Sequence, residues 1–133
     1  MEAIYAGPNG DAWKRSRIQI YGWEDFSWNV STSSNTLRNP NANFPMIYDL
    51  RPNRLEQNQF VLYIERVPDE FQTDHIDWGF RVSGVYGLDY RFMISQLLKH
   101  NNYYGFDMPM VYVDLYVPQV FQGMNIRVGR IIS

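Results

Sequence analysis

From residue 76 to residue 90 apolar and polar side chains alternate. Ile76, Trp78, Phe80, Val82, Tyr86, Leu88 and Tyr90 share one parity, while Asp77, Gly79, Arg81, Ser83, Gly87 and Asp89 share the other. Successive side chains of a strand point to opposite faces of a sheet, so this period of two predicts a strand with one apolar and one polar face. Soluble strands run about 5 to 6 residues, and strands crossing a bilayer at a tilt need roughly 9 to 11. The run exceeds both, which suits an apolar face turned to lipid and a polar face turned to water.

The same rhythm recurs on either side. In residues 17–30, Ile18, Ile20, Phe26, Trp28 and Val30 oppose Arg17, Gln19, Tyr21, Trp23, Asp25, Ser27 and Asn29. Glu24 interrupts the apolar parity, and a bulge near Gly22 is expected to re-aim it. In residues 55–67, Phe60, Leu62 and Ile64 oppose Gln57, Gln59, Tyr63 and Glu65, with Pro68 closing the run. The short polar stretch 69–74 then predicts an antiparallel hairpin with the strand that follows. Past Tyr90 the spacing of Phe92, Ile94, Leu97 and Leu98 becomes helical, predicting one short helix in a loop. Val111, Val113, Leu115 and Val117 alternate with Tyr112, Asp114 and Tyr116, and Met124, Ile126 and Val128 alternate with Asn125, Arg127 and Gly129, giving the last two strands. Arg130 falls on the apolar parity of the final strand, as suits a membrane boundary or a terminus.

Residues 1–16, rich in turn formers around Gly7, Pro8, Asn9 and Gly10, read as an extended lead-in, and the Asn-, Ser- and Pro-rich stretch 31–45 as a long loop. The expected fold is all-β: an antiparallel meander of about five long strands, in a single partial domain spanning residues 1–133.

Composition narrows this picture. Aromatic residues make up 17% and charged residues 20% of the chain, a balance that favours strands. A net charge of -2 provides no electrostatic basis for binding nucleic acid. The absence of cysteine removes disulfides, thiolate chemistry and Cys-based zinc sites. No apolar run is long enough for a membrane helix, which leaves a strand-built span open. Residues 1–10 carry no basic segment followed by an apolar one, so no secretory signal is written there.

The stretch Gln72-Thr73-Asp74-His75-Ile76-Asp77-Trp78-Gly79-Phe80-Arg81, followed by Tyr86-Gly87-Leu88-Asp89-Tyr90-Arg91, resembles a family of β-barrel porins of the bacterial outer membrane. Further elements of the likeness are Gln59-Phe60-Val61-Leu62-Tyr63-Ile64-Glu65-Arg66, Gln96-Leu97-Leu98, Tyr104-Gly105-Phe106-Asp107 and Gly123-Met124-Asn125-Ile126-Arg127-Val128-Gly129-Arg130. The resemblance implies a transmembrane β-barrel in the outer membrane, with passive diffusion of small hydrophilic solutes. It brings no catalytic residue and no cofactor. Family members carry a signal peptide and a longer chain, which implies that this sequence is an N-terminal fragment whose partners are the bilayer and the remainder of the barrel. The expected strands are also fewer than the roughly eight of the smallest membrane barrels.

The polar parity supplies the candidate pore lining: Arg17, Gln19, Asp25, Gln57, Gln59, Glu65, Asp77, Arg81, Asp89, Asp114, Asn125 and Arg127. Mixed charges along a wet lumen would set solute size and sign preference without any chemical step. The same residues also suit a plain solvated sheet face. Trp13, Trp23, Trp28, Trp78, Tyr86, Tyr90, Tyr112 and Tyr116 divide between interfacial girdles and core packing. The competing expectation is a soluble β-sandwich that stacks sugars on exposed rings. Asp74, His75 and Asp77 are metal-ligand types close together, but a polar strand start explains them equally well. Glu24 and Asp25 are adjacent carboxylates that a strand would send to opposite faces, so they do not form a hydrolytic pair. No nucleotide-binding, zincin or serine-elbow motif is present, and no enzymatic activity is expected.

Overall fold

A computed structural model describes residues 2–30, 51–92 and 104–132. The expected helix across Ile94, Leu97 and Leu98 and the expected loop at 31–45 lie outside these residues. Within them the protein is a six-stranded antiparallel sheet, ordered β1-β2-β3-β5-β6, with the short β4 also paired to β3. The strands are β1 Ile18–Trp28, β2 Leu55–Arg66, β3 Asp77–Gly87, β4 Gly105–Asp107, β5 Val111–Val117 and β6 Met124–Arg130. The sheet is open among the described residues, with β1 and β6 at its edges.

The hairpin of β2 and β3 forms as expected, with Phe60 opposite Tyr86 and Ile64 opposite Val82. β4 and β5 lie along the same edge of β3, pairing with Val85 to Gly87 and with Asp77 to Val82 respectively. They are two pieces of one ribbon interrupted around Pro109, which has no N–H to give the ladder. Ser83 bridges the interruption: its N–H donates to the Met110 carbonyl at 2.8 Å, and its Oγ accepts the Met110 N–H at 3.0 Å.

Three expectations are corrected, and one strand is new. The strand at residues 76–90 is shorter, ending at Gly87, where φ reaches +140°. Leu88 and Tyr90 carry on the alternation in sequence but belong to a turn, and residues Asp89–Phe92 form a 3-10 helix. The lead-in is not extended: α1 spans Glu2–Tyr5 and α2 spans Gly10–Ser16, closed by Arg17 in the left-handed conformation at φ 57°. The β-bulge lies not near Gly22 but in β2, where Asp25 pairs with Gln59 and Phe26 with Gln57, leaving Asn58 as the extra residue. β4 was not expected, because three residues are too few to display a period.

Candidate functional site

The register assigns every strand residue to one of two faces. One face carries the rows Ile20–Ile64–Val82–Val111, Phe80–Val113–Val128 and Trp78–Leu115–Ile126. The other carries Gln19–Glu65–Arg81–Tyr112, Gly79–Asp114–Arg127 and Asp77–Tyr116–Asn125. The burial of the two faces is the reverse of a water-soluble sheet. On the apolar face Trp78 is 51%, Val113 55% and Val128 69% exposed, whereas on the polar face Asp77 is 4%, Asp114 4% and Glu65 6% exposed.

The buried carboxylates are held by guanidinium groups. Asp77, the first residue of β3, is the hub: Arg17 pairs with its Oδ2, Arg66 Nη2 donates to its Oδ1 at 2.9 Å, and the Asp69 N–H donates to Oδ2 at 2.8 Å. It thereby ties the start of β1, the end of β2 and the turn between β2 and β3 to one point. Arg81 Nε donates to Glu65 Oε2 at 2.5 Å, and the Tyr21 hydroxyl donates to Glu65 Oε1 at 2.7 Å. Arg127 forks onto Asp114 at 2.6 and 2.9 Å. The planar fork of arginine suits this bidentate geometry, and the pairing is what makes buried carboxylates tolerable. Guanidinium groups also lie against rings, Arg127 at 4.2 Å from Tyr112 and Arg66 at 4.4 Å from Trp78.

Most of the expected lining residues share this polar face. Gln19 lies opposite Glu65, and Asp25 accepts from Asn58 Nδ2 at 3.2 Å. Gln59 donates to Asp89 at 2.7 Å and so pins the 3-10 turn, while Asn125 Nδ2 donates to Glu70 at 2.6 Å. Gln57 does not join them. Beyond the bulge its side chain falls on the apolar face, where Nε2 donates to Glu24 Oε1 at 2.7 Å. Asn58 takes its place on the polar face, bonded to Asp25 and approached by the Ser27 hydroxyl at 3.2 Å. The consecutive polar trio Gln57-Asn58-Gln59 was the available sign that the alternation slips there.

Two charged residues on the apolar parity are placed informatively. Glu24 remains on the apolar face, but it pairs with Phe60 and, through it, lies level with Tyr86 near one end of β3. Arg130 lies level with Val111, yet its guanidinium turns to Asp107, at 3.0 and 2.7 Å, and to the Met108 carbonyl at 2.8 Å. Gly129 precedes it at φ +145°, a conformation that redirects the strand end and that a side chain would oppose. Asp107 belongs to the polar face, and Arg66, level with Ile18 and Phe80 on the apolar parity, reaches the network at the strand end through Asp77; sequence periodicity singled out neither.

Asp74 and His75 sit in the exposed turn, 3.9 Å apart, while the Asp77 oxygens face Arg17 and Arg66, so the three do not converge on one point. Glu24 and Asp25 bond on opposite faces. The expected aromatic set also divides: Trp28, Trp78 and Tyr86 lie on the apolar face, and Trp23, Tyr112 and Tyr116 on the polar one. Compared with known proteins, the chain has no significant match to any family model, curated protein or solved structure.

Proposed function

We propose that this sheet is a section of the wall of a bacterial outer-membrane β-barrel, with its apolar face against lipid and its polar face on a water-filled lumen that admits small hydrophilic solutes by passive diffusion. The observation that carries this reading is the reversed burial: apolar side chains exposed in rows, ionic side chains crowded and paired on the other side. In water the apolar face would be a large exposed patch, and such patches mark an interface with something apolar. A sandwich would cover it with a second sheet, whereas the described residues form one sheet.

Dimensions support the same reading. β1, β2 and β3 have 11, 12 and 11 residues, near the roughly 9 to 11 that a tilted membrane strand needs. Trp78 and Tyr86 bracket Phe80, Val82 and Gly84 on β3, and a rise of about 3.4 Å per residue puts them roughly 27 Å apart along the strand. At the usual tilt this is about 21 Å along the membrane normal, close to the roughly 25 Å apolar band between aromatic girdles. Glu24, level with Tyr86, then stands at the band's boundary, where a charge costs little. The free edges of β1 and β6 pair with further strands to close the wall, since an open edge is a template for pairing. Passive diffusion requires neither a cofactor nor a reacting side chain.

The chain has no cysteine, so single cysteines can report each face. In vesicles, Val113→Cys should resist a membrane-impermeant thiol reagent, and Gln19→Cys should react with it. Equal reactivity at both positions would contradict the reading.

A further inference from the structure

The two edges of the sheet are not equivalent. On β1 the polar-face residues Gln19, Tyr21, Trp23 and Asp25 are all exposed, while Glu65 and Val61, the register partners of Gln19 and Trp23 on β2, are buried. β2 has a neighbour on either side, and β1 has one on a single side. The outer N–H and C=O groups of β1 are a template for a further strand, and such a strand would cover this row. Covering it has a consequence for Asp25. A carboxylate taken out of water is costly without a cation, and within the sheet Glu65, Asp77, Asp107 and Asp114 are each closed by arginine. Asp25 bonds the Asn58 amide at 3.2 Å and takes part in no ion pair among the described residues. Its register partner Gln59 is already engaged by Trp23 and Asp89. Asp89 also bonds an amide, but it is already buried in the 3-10 turn.

The occupant of this edge follows from what the described strands do not supply. Each step along the sheet is antiparallel, so β1, β3 and β6 run in one direction, and β6 of this chain or of a copy placed head to tail would meet β1 in parallel. The polar residues of β6 are also satisfied, Arg127 on Asp114 and Asn125 on Glu70. A second β1, related by a two-fold axis, would pair antiparallel but bring no cation, because residues 18–28 contain no Lys or Arg and Arg17 is held by Asp77. Glu65 with Arg81 and Asp114 with Arg127 are direct register partners, which marks the position on a neighbouring strand where a closing arginine stands. We propose that the outer edge of β1 receives a further antiparallel strand, with apolar and polar residues in alternation and an arginine on its polar parity opposite Asp25. The assignment rests on the lumen reading, in which the row from Gln19 to Asp25 lies inside a closed wall, and it names the chemistry of the neighbour that continues that wall.

The test uses the full chain reconstituted in phosphatidylcholine vesicles, whose headgroups carry no net charge, and two dye-labelled peptides as long as β1. Each has 11 residues of alternating valine and threonine, with either arginine or glutamate in place of the central threonine. Binding is followed by fluorescence anisotropy. The arginine peptide should bind roughly tenfold more tightly than the glutamate peptide. Asp25→Asn should bring the two within about twofold of each other, and Asp25→Arg should reverse their order. Glu24→Gln removes the same charge from the opposite face and should leave the parent preference in place. Circular dichroism of each variant confirms that the sheet is retained. A preference that survives Asp25→Asn, or that falls equally in Glu24→Gln, would overturn the proposal by making net charge its source. No binding of either peptide by a chain that has entered vesicles would overturn it and leave the lumen reading intact, as would cross-linked chain dimers in place of peptide complexes. A chain that does not enter vesicles would overturn the lumen reading itself, and with it the place of the added strand.

Discussion

The two faces of this sheet are built from the same strands, residue by residue in alternation, yet they are held by different physics. The apolar face has rows of Ile, Val, Leu and Phe with little packed over them, so its contribution depends on what it meets outside the chain. On the polar face Glu65, Asp77 and Asp114 are each closed by arginine and covered. In an ordinary soluble sheet the buried face is the apolar one and burial itself is the driving force. Here burial falls on charges, which is costly unless each is paired, and the free energy of removing apolar surface from water is left to the environment. A side chain's effect should therefore depend on its face more than on its type.

Asp77→Ala should have the largest effect. It strands Arg17 and Arg66 and frees the Asp69 N–H, so a loss of about 3 to 5 kcal/mol is expected in urea unfolding of detergent-solubilised protein. A loss under about 1 kcal/mol would mean that the polar network is incidental to the fold.

Next in size is an arginine placed on each face. Val82→Arg, midway between Trp78 and Tyr86, should make vesicle insertion less favourable by roughly 2 to 4 kcal/mol. Gln19→Arg on the exposed part of the polar face should change it by no more than about 0.5 kcal/mol. Equal effects at the two positions would erase the distinction between the faces.

Glycines give a finer comparison. A Cβ at Gly105 would come within 2.3 Å of the ring of Tyr90, itself only 1% exposed, so Gly105→Ala should cost about 1 to 3 kcal/mol in the same unfolding experiment. At Gly84, on the apolar face, the nearest atom is on the exposed ring of Phe106 at 3.0 Å, which can swing aside. Gly84→Ala should cost under about 1 kcal/mol. The smallest effect belongs to Glu24→Leu: at the level of Tyr86 it exchanges a boundary charge and one bond from Gln57, so insertion should change by less than about 1 kcal/mol.

Much of this arrangement could be read from alternation alone. Period two identified the long strands and the β2–β3 hairpin, and it sorted residues such as Glu65, Arg81, Asp114 and Arg127 onto one face, because sheet geometry converts parity directly into side. It failed where the backbone departs from that geometry. Asn58 inserts one residue and sends Gln57 to the opposite face. Leu88 and Tyr90 keep the parity although Gly87, at positive φ, has already ended the strand. The helical turn α2 was hidden by turn-forming residues at its start, and β4 by its brevity. The pairings themselves were invisible for a different reason: which arginine closes which carboxylate depends on cross-strand register, and parity alone does not contain it. Arg130 shows this most clearly, since its parity points outward while its guanidinium reaches Asp107.

The most direct measurement is partition of the purified chain between buffer and liposomes, with circular dichroism recorded on both fractions. A sheet whose apolar face belongs against lipid should be recovered with the vesicles and show its strand signal there, while the fraction left in buffer aggregates or lacks that signal. A folded, monodisperse β protein remaining in plain buffer would contradict the membrane wall and mean that the exposed rows of Trp78, Val113 and Val128 are tolerated by water.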